Sequence, residues 1–106
     1  MSNPPRRQES DDPLDADGYP TDETLKRIEE WSENDHAGLL RFVQSIWCWG
    51  WRQKGREFHV STGGWSGNEN IIRALKNNRW FWMFCWVQSR RGGHYIFELR
   101  AKDSDE

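Results

Sequence analysis

The chain has 106 residues, only 35% of them hydrophobic, yet it carries eight tryptophans and five phenylalanines. A chain of this length fits one domain with a modest core, and the tryptophans and phenylalanines, all beyond residue 30, supply buried area that the low hydrophobic fraction lacks. It contains no run of about 18 apolar residues and does not begin with a charged and then apolar leader, which argues against a membrane partner and predicts a soluble, cytoplasmic protein.

The net charge of −2 hides an asymmetry. Residues 1–35 hold four Lys or Arg against eleven Asp or Glu, residues 36–100 hold ten against three, and residues 101–106 hold one against three. A basic, aromatic body between acidic ends points to an anionic partner, or to ends that screen the body from one. All four prolines lie in the first twenty residues among seven charged side chains, so residues 1–18 are expected to form a disordered acidic tail. Residues 19–100 are then the folded domain, and 101–106 a short acidic C-terminal tail.

Thr21, followed by Asp22 and Glu23, predicts a helix over about 22–31 with Leu25, Ile28 and Trp31 on its apolar stripe. Asn34 or Asp35 caps a second helix, whose positions Leu39, Leu40, Phe42, Val43, Ile46 and Trp47 are apolar over nearly half its circumference. Trp47, Trp49 and Trp51 then alternate with Cys48, Gly50 and Arg52, the two-residue period of a strand, and the turn at 53–55 leads back through Phe58, His59 and Val60. Residues 47–62 therefore read as a β-hairpin.

Residues 61–69, STGGWSGNE, connect that hairpin to a third helix carrying Ile71, Ile72, Ala74 and Leu75, with Ser66 and Glu69 in capping-box spacing and Asn77 and Asn78 ending it. The aromatic run over 80–88 reads as a central strand with Trp80, Trp82, Phe84 and Trp86 on one face and Phe81, Met83, Cys85 and Val87 on the other. A turn over 89–93 and a strand over 94–99 complete the order α-α-β-β-α-β-β. This is an α+β domain with an antiparallel sheet of about four strands and about three helices on one face. Trp47, Trp49, Trp51, Trp80, Trp82 and Trp86 are expected on a common side of the sheet. Cys48 and Cys85 lack CxxC spacing, and a disulfide between them is not required.

Two glycine-rich connections carry the functional expectation. A loop from strand to helix can present amides to an anion, with Ser61, Thr62, Gly63, Gly64, Ser66 and Gly67 as donors and Trp65 available for stacking. It matches neither GxxxxGK nor GxGxxG, and its glycines also suit a plain tight turn with a capped helix. Arg90, Arg91 and His94 beside Gly92 and Gly93 supply cationic groups, which form a site only if the two turns meet. The three histidines have no metal-ligand spacing with the cysteines, and no catalytic motif, metal site or cofactor site is evident.

The combination of STGGWSGNENIIRAL, the aromatic run RWFWMFCWVQ and SRRGGHYIFEL resembles a group of short bacteriophage and prophage proteins of unassigned activity, a resemblance that covers about residues 19–99. The resemblance implies an accessory phage protein that acts by binding, and it transfers no functional residue. The leading expectation is a non-enzymatic binding protein for a nucleotide or a nucleic-acid backbone. The alternative is a protein-interaction module, such as an inhibitor of a host or defence enzyme, using exposed tryptophans or the acidic tail. Oligomeric state is left open.

Overall fold

The computed structural model describes residues 12–100. Four helices and a four-stranded antiparallel sheet make an α+β domain, in the order α1 (Asp22–Glu29), α2 (His36–Ile46), β1 (Trp51–Lys54), β2 (Glu57–Ser61), α3 (Ser66–Asn77), α4 (Arg79–Cys85), β3 (Trp86–Arg90) and β4 (His94–Glu98). The first two helices start where their caps predict. Thr21 Oγ1 accepts from the Thr24 amide at 3.1 Å and Asp35 Oδ1 from the Gly38 amide at 3.0 Å. Their apolar stripes, Ile28 on α1 and Leu39, Leu40, Val43 and Ile46 on α2, enter the core.

The body begins earlier than residue 19. The Pro13 carbonyl accepts from the Thr21 amide at 3.1 Å and from Thr24 Oγ1 at 2.8 Å, and Leu14 packs against the core while bridging to Pro20. These contacts outweigh the polar composition of that stretch. Of the expected tails, residues 1–11 and 101–106 lie outside the described residues.

The first hairpin is shorter than its alternating tryptophans suggest. β1 pairs with β2 from Trp51↔Val60 to Lys54↔Glu57, and residues 47–50 form a separate connection in which Trp49 takes a φ of 33°. That left-handed step ends the alternation. Trp47 and Trp51 meet edge to face at 5.7 Å and turn towards the core, whereas Trp49 is 66% exposed.

The aromatic run departs most from expectation. Its first half is helix α4, and only Trp86 onward is strand. Asn78 explains the change. Its Oδ1 accepts from the Phe81 amide at 3.1 Å, while Nδ2 donates to the carbonyls of Ile28 at 2.9 Å and Trp31 at 3.3 Å. The residue expected only to end one helix thus caps the next. Phe81 and Cys85, four apart, then point into the core while Met83 between them is exposed, whereas a strand would place all three on one face.

The sheet order is β1-β2-β4-β3, so β3 lies at an edge rather than in the centre. Phe58, Val60, Tyr95 and Phe97 share the face that packs on the helices, and His59, Ser61, His94 and Ile96 share the opposite one. No helix covers that second face among the described residues. The six tryptophans are therefore not on one side. Cys48 and Cys85 are not joined to each other. No helix among the described residues is long and apolar enough to cross a membrane.

Candidate functional site

Pairing of β2 with β4 brings the two glycine-rich connections together. Ser61 stands opposite His94, and their Oγ and Nδ1 share a hydrogen bond of 2.5 Å. One residue on, the Thr62 amide donates to the Gly93 carbonyl at 2.9 Å. Gly93 has a φ of 81°, and a Cβ there would overlap the hydroxyl of Thr62, so both the backbone and the available space require glycine.

The loop spends most of its donors internally. Ser61 N donates to the Gly50 carbonyl, Gly64 N to Thr62 Oγ1 at 3.2 Å and Trp65 N to the Thr62 carbonyl at 3.0 Å. Thr62 itself is buried, its hydroxyl donating to Glu69 at 3.4 Å. Thr62 and Gly64 are thus fold elements here rather than spare anion donors. The expected capping box does not form. Trp65 occupies the cap position of α3 without a side-chain bond, and the Ser66 hydroxyl donates instead to the Tyr19 hydroxyl at 3.2 Å. Tyr19 and Trp65 rings meet at 4.9 Å, and Gly67 leaves room for the Trp65 indole. Trp65, Ser66 and Gly67 consequently form a cluster apart from Arg90 and His94.

What converges is the uncovered sheet face. Ser61, Arg90 and His94 line a pocket of about 530 Å³ together with Arg52 and His59, and Ile96 lies in its floor. Two guanidinium-bearing side chains and two imidazoles line it, and none of its lining residues is a carboxylic acid. Beside it on the same face Glu57 and Glu98 stand opposite each other, and Glu57 is engaged with His59 at 3.1 Å. Arg90 Nε donates to Gln88 at 3.3 Å, while Arg91 lies in the exposed turn and does not line the pocket. The Trp51 indole N–H, on the core side of the sheet, has no hydrogen-bond acceptor among the described residues. Arg52 on β1 and Arg90 on β3 are separated by three strand spacings, about 14 Å, so a ligand touching both must extend across the sheet.

Asn68 positions the end of this face. It is fully buried, with Nδ2 donating to the carbonyls of Cys48 at 2.9 Å and Thr62 at 3.3 Å and Oδ1 accepting from the Cys48 amide at 3.2 Å. Its role was not foreseen, but a signal existed: Asn68, Ile71, Ile72 and Leu75 share one helical face, and a polar residue on an apolar stripe needs internal partners.

A second exposed region lies on α4 and β3. Trp80, Met83, Phe84, Trp86 and Val87 are all substantially exposed. Trp80 stacks on Phe84 at 5.9 Å, Trp82 on Trp86 at 5.8 Å, and the Arg100 guanidinium sits 5.0 Å from the Phe84 ring. Among the described residues no group of three or more His, Cys, Asp or Glu side chains is arranged to hold a metal ion. Compared with known proteins, the chain matches no family model, no curated protein and no solved structure.

Proposed function

We propose that this is a small, phage-derived binding protein that recognises an anionic ligand, a nucleotide or a nucleic-acid backbone, on its uncovered sheet face. The carrying observation is the convergence of Arg52, His59, Ser61, Arg90 and His94 on one pocket whose lining contains no acid. Guanidinium groups suit phosphate through paired N–H donors, and hydroxyl and imidazole groups add shorter-range bonds. The phage origin rests on the three sequence motifs. The glycine-rich loop contributes by holding Ser61 and the His94 turn in place, with Arg91 adding to the surrounding positive potential.

Titration with inorganic tripolyphosphate tests the reading. Binding should weaken steeply with added salt, and Arg52→Ala with Arg90→Ala should reduce it at least tenfold while leaving the melting temperature within about 2 °C. Absence of binding, or binding that the double variant leaves intact, would overturn the assignment.

The exposed aromatic shoulder on α4 and β3 favours a second reading, a protein-interaction module using tryptophan contacts. Tryptophan is prominent among residues that dominate binding energy at protein interfaces, and such contacts resist salt.

A further inference from the structure

Trp49 is the residue whose conformation the fold explains least by packing. It has a φ of 33°, unusual for a bulky side chain, and yet its indole is 66% exposed. Burial does not compensate for this backbone, so something else must hold it. Both backbone groups of Cys48 are bonded to the buried Asn68, and the Gly50 carbonyl accepts from the Ser61 amide at 2.7 Å. Trp49 is clamped from either side. Strained residues that the surroundings over-determine in this way concentrate at functional positions.

Trp49 does not itself line the cationic pocket, but it adjoins chain segments that do. Gly50 and Ser61 both line that pocket, and the indole of Trp49 lies against Gly63, where a Cβ would come within 2.6 Å of its Nε1. An aromatic ring is thereby presented to solvent on a rigid support, next in the chain to Gly50, which lines the pocket with Ser61 and His94. The cationic groups of the pocket extend about 14 Å across the sheet, which exceeds a single phosphate group.

We propose that Trp49 is a stacking platform for a base of single-stranded nucleic acid whose phosphates lie along Arg90, His94 and Arg52. This rests on the anion-binding reading above and adds the ligand class. Bases stack on exposed aromatics without regard to sequence, while a cationic groove follows the backbone, and a duplex hides the base faces that such a platform needs.

The experiment uses the full chain and fluorescence anisotropy with a labelled mixed-sequence single strand of eight nucleotides. A matched duplex, a mononucleotide and an abasic strand are run in parallel. The single strand is expected to bind more tightly than all three. Trp49→Ala should weaken it about 5- to 50-fold, Trp49→Phe should weaken it less, and Trp49→Gly should lose binding while melting at the same temperature or higher, because glycine tolerates positive φ. Should Trp49→Ala bind like the parent while Arg52→Ala with Arg90→Ala weakens binding, the platform is refuted and the anion site stands. Equal affinity for duplex, abasic strand or mononucleotide also refutes the platform alone. Failure of every nucleic acid and of tripolyphosphate refutes both.

Discussion

The uncovered sheet face and the α4–β3 shoulder are both open to solvent, but they are held by different forces. On the sheet face, polar side chains are fixed by strand register and by short bonds, Ser61 to His94 and Thr62 to Gly93. On the shoulder, Trp80, Phe84, Trp82 and Trp86 hold one another by ring stacking, and β3 at the sheet edge is exposed along its length. Directional bonds fix where a charge sits, which a binding site for a discrete anion needs. Stacked rings give area without direction, which suits a broad apolar contact. The contrast also extends to guarding. The β1 edge carries Arg52 and Lys54, whereas the first four residues of β3 are uncharged, leaving that edge more open to pairing.

Three substitutions probe this difference, beginning with the largest effect. Asn78→Ala removes the cap of α4 and the side-chain donor to two carbonyls, that of Trp31 and that of Ile28, which keeps the Trp31 amide. A loss of about 2–3 kcal/mol in denaturant unfolding is expected, with amide exchange accelerating most in α4. If exchange rose first in β2 and β4, the shoulder would not be the separately held region described here. Gly93→Ala strains a φ of 81° and overlaps Thr62, with an expected cost of about 2 kcal/mol and the opposite exchange pattern, faster at β2 and β4. Unchanged stability would mean that the two connections are not locked together. Met83→Lys, at a 68% exposed position, should alter stability by less than about 0.5 kcal/mol. It should lower binding of an apolar dye and leave tripolyphosphate binding unchanged; a matching loss of anion binding would show that the two regions act as one surface.

Much of the fold was legible in local chemistry. Thr21 and Asp35 are short polar residues placed directly before apolar stripes of helical period, and each caps a helix as read. The candidate site was legible only in part. Ser61, Arg90 and His94 do share a pocket, but Thr62 and Gly64 satisfy the loop itself, and Trp65, Ser66 and Gly67 belong with Tyr19. A glycine-rich loop with several hydroxyls has the same composition whether its donors face inward or outward.

By itself the sequence determined the α+β class, the two glycine-rich connections, the first two caps and the basic character of the body, because each depends on neighbours within a few residues. Tertiary structure decided the rest. Residues 80–88 are apolar on every side and carry no single period, so burial of Phe81 and Cys85 and the bonds of Asn78 chose a helix for their first half. Which tryptophans face water was likewise settled at a distance, since the clamp on Trp49 comes from Asn68 and Ser61, residues that only the folded chain brings beside it.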